Sequence, residues 1–243
     1  MRLVPLLALL AGCSENLLGP DAGVDAAPPA DACVPTGSHI VYMNRNPTTY
    51  APGPGDSVAN ISGIITTEVT TEGPSISETM WRIAKNCMID ELAPYDIQVT
   101  DQDPGDVDHF EIAITDRGTE IGFDFGINGI APFNCPTDGP REIAFVFWGP
   151  FGQPRQRQFC EQLLWTVAVS AGLTDSADCH DIMWPRASDD DAAGACGDKH
   201  FLTDTVGCVQ QADLAPRDCA CGGSLQSSDG KMLDHYGAGV CAP

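Results

Sequence analysis

Apolar and polar positions change their period several times along this chain, and each change predicts an element. Ile40 to Met43 form a short apolar run that predicts a buried first strand, followed by a long polar loop through Gly73. Ser75-Ile76-Ser77-Glu78 then has the form of a capping box, in which a hydroxyl and a carboxylate satisfy the first free amides of a helix. Ile76, Met80, Ile83 and Cys87 recur at helical spacing and predict an amphipathic helix to about Leu92. Asp96 to Thr100 and Phe110 to Thr115 predict strands with alternating apolar residues, and Ile121, Phe123 and Phe125 alternate in the same way. Ile143 to Trp148 are nearly all apolar, as expected of an interior strand.

A second helix is expected from about Gln156 to Ala171. Cys160, Leu163, Leu164, Val167, Ala168 and Ala171 make one apolar face, while Trp165 and Val169 stand four residues apart on the other side. A helix apolar on both sides is buried on both sides. This order of elements predicts an α+β fold, a mixed twisted sheet carrying two main helices. From Ser188 onward the apolar periodicity fades. Five cysteines lie there among Gly, Asp and Ser, so residues 188–243 are expected to be disulfide-rich and loop-dominated, with crosslinks in place of a core.

The first residues carry a different pattern. Arg2 precedes an apolar run from Leu3 to Leu10 that is too short to span a bilayer and fits a signal segment. It ends in Leu10-Ala11-Gly12-Cys13, which resembles the lipobox of bacterial lipoproteins, where the cysteine becomes the lipidated first residue. A plain secretory signal with a chance cysteine is the alternative, and the small residues directly before Cys13 favour the lipobox. Residues 1–12 are therefore expected to be a lipoprotein signal peptide. Residues 13–36, rich in Ala, Pro and Asp, are expected to be a flexible tether starting at the lipid. The implied partner is a membrane held through that lipid, and the implied location is the cell envelope, facing the periplasm or the exterior.

Composition agrees with export. Eleven cysteines are too many for a reducing cytosol unless they bind metal, and they are not grouped as paired CxxC knuckles. Setting Cys13 aside leaves ten disulfide candidates: Cys33, Cys87, Cys135, Cys160, Cys179, Cys196, Cys208, Cys219, Cys221 and Cys241. Cys219 and Cys221 sit too close to pair with each other, so each is expected to reach another partner. Twelve basic residues face thirty-four acidic ones, for a formal net charge of −22. Such a surface repels nucleic acid, which is excluded as a partner. Asp101, Asp103, Asp106 and Asp108 open like a calcium loop, but Pro104 and an early glycine break that pattern, and a solvated loop is the default.

The segment closing the second helix carries the most specific pattern. Trp165-Thr166-Val167-Ala168-Val169-Ser170-Ala171-Gly172-Leu173-Thr174-Asp175 is followed by Asp181-Ile182-Met183. In these residues the chain resembles the metzincin zinc peptidases, which carry H-E-x-x-H-x-x-G-x-x-H/D and then a turn containing methionine beneath the metal. The resemblance covers roughly residues 38–185, and implies a metzincin-like two-lobe fold with its main part at residues 37–187. Gly172 matches the turn, Asp175 the third ligand, and Met183 the methionine turn. The departures from the motif weigh most for function. Trp165 and Val169 stand where two histidines would hold zinc, and Thr166 stands where a glutamate would activate water. The chain is thus expected to be a catalytically inactive pseudo-metallopeptidase, with no catalytic or metal-binding residue at these positions. This implies a binding or structural role, with a peptide or protein partner in the former cleft.

An active zinc peptidase with relocated ligands is the competing expectation. His39, His109, His180, His200 and His235 form no H-x-x-x-H pair, and a new zinc site would have to be rebuilt around His180 and His200. No G-x-S-x-G elbow or phosphate-binding loop is present.

Overall fold

The computed structural model describes residues 37–123, 127–133, 135, 141–149, 156–185 and 196–239. The first half runs through β1 (His39–Asn44), β2 (Thr48–Pro52), β3 (Ile61–Ser62), β4 (Val69–Thr71), α1 (Glu78–Leu92), β5 (Ile97–Thr100) and β6 (Phe110–Thr115). The second half adds β7 (Gly129–Ile130), β8 (Ile143–Phe147), α2 (Gln156–Ser170), β9 (Val206–Val209), β10 (Pro216–Arg217), β11 (Leu225–Gln226) and α3 (Ser228–Tyr236).

The central sheet has the order β5-β1-β6-β8-β7, parallel throughout except for the antiparallel edge strand β7. Parallel strands are covered on both faces, which is why Ile143–Phe147 is apolar at every position and buried at every position. Alternate residues serve two cores. Val41, Met43, Ile112, Ile114, Ala144 and Val146 pack with the helices. Ala113, Phe145 and Phe147 point the other way and meet Tyr50 and Ile65. Truncating Phe145, which is fully buried, to Ala would cost about 3–5 kcal/mol.

The fold is α+β with mixed sheets, and several sequence expectations need correction. The long polar loop through Gly73 is instead a three-stranded sheet of order β3-β2-β4, which covers the second core. Its strands are two to five residues long and rich in threonine, so no long period announces them. Ser77, not Ser75, caps α1, accepting from the Met80 amide at 3.3 Å, while Ser75 hydrogen-bonds Asp116. The buried face of α1 is Met80, Trp81, Ala84, Met88 and Leu92, and Ile83 is 38% exposed. The buried stripe is therefore displaced around the helix from the expected one, with Trp81 inward and Ile83 outward. The strand expected at Ile121 and Phe123 is a short 3-10 turn, Gly118–Ile121, closed by Gly122 at φ +85°. Phe125, the third member of that expected strand, lies outside the described residues.

The described residues hold three α-helices where two main helices were expected. Ser227 caps α3 by accepting from the Gly230 amide, and Met232 and Tyr236, four residues apart, bury one face in the main core. The C-terminal part is therefore not only loops: besides α3 it contains the antiparallel sheet β10-β9-β11.

Four disulfides crosslink the described residues. Cys87–Cys160 ties α1 to α2, Cys135–Cys221 and Cys179–Cys196 hold loops, and Cys208–Cys219 staples β9 to the chain beyond β10. Cys219 and Cys221 do take separate partners. Such crosslinking fits an oxidising compartment outside the cytoplasm. Cys33 and Cys241 lie outside the described residues, as do Cys13, the signal segment and the tether. Among the described residues no helix is long and apolar enough to cross a membrane.

Candidate functional site

The end of α2 is built by backbone chemistry. Gly172 has φ +82°, a conformation glycine reaches at little cost. Its amide bonds the Val169 carbonyl at 2.9 Å and the Leu173 amide bonds Ala168 at 3.1 Å, the paired contacts of a Schellman stop. The chain then doubles back and is fixed from two sides. The Thr174 amide donates to Gln226 Oε1 at 3.1 Å, and the Val209 amide donates to the Asp175 carbonyl at 2.9 Å. Asp175 is thereby held opposite the last two turns of α2.

There Trp165 Nε1 donates to Asp175 Oδ1 at 3.1 Å. Burial pushes the Asp175 carboxyl above its usual range, while the Trp165 hydrogen bond and the charge of Arg217 pull it back. Trp165 is half-buried against the main core, and Val169 is buried in it. Thr166 is fully buried and spends its hydroxyl on the Gln162 carbonyl one turn back, at 2.7 Å. Met183 is also fully buried. Its turn is set by Asp181, whose Oδ1 accepts from the Met183 amide at 3.0 Å, and by the Ser176 amide, which donates to the Met183 carbonyl.

This donor set does not fit a zinc ion. An indole N–H carries no lone pair for a metal, valine has none at all, and the Thr166 hydroxyl is already used. Only Asp175 offers a ligand atom, and that atom accepts from Trp165.

The other metal candidates separate in space. Asp101 accepts from Lys85 Nζ at 2.6 Å and from Trp81 Nε1 at 2.9 Å. Burial alone would raise its carboxyl, but these partners hold it down at about 2. Asp103 caps its own turn through the Gly105 amide, and Asp108 pairs with Arg141 at 2.6 Å. Asp101 and Asp108 thus serve separate ion pairs within the segment expected to be a solvated loop. The backbones of His180 and His200 do meet, with the His200 amide donating to the His180 carbonyl at 2.9 Å. Their rings diverge, His180 to Asp178 at 2.9 Å and His200 to Glu91 at 3.1 Å. Among the described residues Asp178, Cys179 and His180 bring three ligand types within 4.8 Å, but Cys179 is already bonded to Cys196 and has no thiolate to offer.

Two buried charges escaped the sequence pattern. Glu161 on α2 and Lys199 lie 3.2 Å apart with side chains only 5% and 3% exposed, and Arg157 approaches the same carboxylate at 3.4 Å. Burial raises the Glu161 carboxyl and both cations oppose that shift. Glu111 on β6 is 1% exposed and accepts from Tyr50 and Asn44. An acid inside an otherwise apolar period is the one signal that pointed to either.

Fold and site together define an α+β, disulfide-crosslinked body whose most specific motif ends in a filled, metal-incompetent position. No protein-family model matches the chain, and no curated protein matches it.

Proposed function

We propose that the chain is an envelope lipoprotein, anchored through Cys13, with a metzincin-like fold that has lost catalysis and serves as a binding scaffold. One observation carries it: the Trp165 indole occupies the first histidine position and donates to Asp175, the residue matching the third metal ligand. The glycine stop at Gly172, the return of the chain to Asp175 and the buried Met183 support the likeness. So does the alternation strands, helix, strands, helix within residues 38–185.

The binding role draws on the edge of the sheet. β7 ends the sheet and approaches α2 closely, since a Cβ on Gly129 would come within 3.1 Å of Gln162 Nε2. Ile127 and Phe133 flank it with 37% and 40% exposure. An edge strand that pairs with no further described strand offers main-chain hydrogen bonds to an extended peptide, and Trp165 lies one turn beyond Gln162.

The test is elemental analysis and a peptidase assay on the purified, oxidised full chain. No zinc above background and no chelator-sensitive proteolysis are expected. Near-stoichiometric zinc with proteolysis abolished by a chelator would overturn the proposal in favour of an active zinc peptidase using other ligands.

A further inference from the structure

The face of the sheet opposite the helices holds a polar cavity of about 300 Å³. It lies where the segment between β5 and β6 crosses toward the small sheet. Its lining includes Tyr42 and Asn44 of β1, Glu111 of β6, and Asp103, Asp106 and His109 of the crossing segment. No lysine or arginine is among the described residues that line it.

Glu111 sets the chemistry of this cavity. Its Oε1 accepts from the Tyr50 hydroxyl at 2.6 Å and from Asn44 Nδ2 at 2.7 Å. Its Oε2 accepts from no described residue, and no described cation forms an ion pair with it. A carboxylate that is 1% exposed and supported by two neutral donors is weakly compensated, and within this lining only His109 adds a charge that favours its ionised form. Burial raises its pKa, and the two hydrogen bonds and the charge of His109 only partly offset this. Asp103 and Asp106 are exposed and add two more negative charges to the lining.

A single metal ion does not match this geometry. Among the described residues, no three ligand atoms of this lining converge within 4.8 Å, the only such group being at residues 178–180. A larger cation that carries its charge on a donor group matches better. An ammonium can approach Oε2 of Glu111, which accepts from no described residue, and also donate to amide and hydroxyl oxygens around it. The volume lies at the lower end of small-molecule sites, which run from roughly 300 to 1,000 Å³.

We propose that this cavity binds a small organic amine in its ammonium form, with Glu111 as the buried counter-ion and Asp103 and Asp106 as the attracting charges. The site is separate from the α2 position and does not depend on the loss of catalysis there.

The probe is 1,4-diaminobutane, titrated calorimetrically into the oxidised full chain, with 1,4-butanediol as a neutral control of the same length. Saturable binding of the diamine and none of the diol are expected. Glu111→Gln keeps an acceptor for Tyr50 and Asn44 but removes the charge, and should weaken the diamine about tenfold or more. Should that variant fail to fold, Asp103→Asn with Asp106→Asn alters only exposed positions and should weaken binding several-fold and make it less salt-dependent. Equal binding of the diol, affinity unchanged in these variants, or displacement of the diamine by low calcium would each overturn the proposal.

Discussion

Trp165 has two separable roles, packing and donation, and single substitutions divide them. Trp165→Phe keeps most of the packing but leaves the raised, partly buried Asp175 carboxyl without its donor, and should cost about 1–2 kcal/mol in urea unfolding. Trp165→Ala loses both, yet should cost only about 2–3 kcal/mol, because the indole is half-buried rather than enclosed. Equal stability of wild type and both variants would show that the indole fills nothing. Asp181 offers a pH-dependent counterpart. Burial pushes its carboxyl up to about 6, against the hydrogen bond from the Met183 amide and the nearby hydroxyls of Ser228 and Ser176. A raised acid favours the fold while protonated, so its contribution is complete below pH 4 and is lost as pH rises through 6. The loss is on the order of 2–3 kcal/mol. Asp181→Asn should therefore flatten the stability profile between pH 4 and 6, as thermal unfolding across that range would reveal. A profile of unchanged slope would count against the buried charge.

At the scale of elements, α1 and α2 are joined by Cys87–Cys160, which spans 73 residues of sequence. Closing so long a loop restricts the unfolded chain, by about 4 kcal/mol in the chain-entropy account. Replacing both cysteines with alanine should lower the urea midpoint accordingly, and an unchanged midpoint would mean that helix packing alone carries the pair. The legibility of each element tracked its period. β6, β8 and α2 were readable because Phe110–Thr115, Ile143–Phe147 and Gln156–Ser170 each hold one period long enough to register. β2 to β4 were not, because their buried residues are few and separated by threonines. α3 hid behind Gly230, a poor helix former, and only Met232 and Tyr236 mark its inner face. At the site, the expectation that Trp165 and Asp175 meet came from the resemblance to the metzincin motif, whereas Glu161–Lys199 joins residues 38 apart in sequence that only the fold brings together.

For the whole molecule, the expected anchor can be tested directly. Cys13→Ser should move the protein from the membrane fraction to the soluble fraction, and retention of the variant in membranes would remove the lipid from the account. The folded body is held by covalent rings that overlap. Cys87–Cys160 closes one ring and Cys135–Cys221 closes another, and they share residues 135–160. A protease that cuts one peptide bond anywhere from residue 87 to 221 therefore severs no part of the chain from the rest. Damage of that kind would appear on a gel only after reduction. Outside the cytoplasm, where resynthesis in place is impossible, a nicked copy would stay whole.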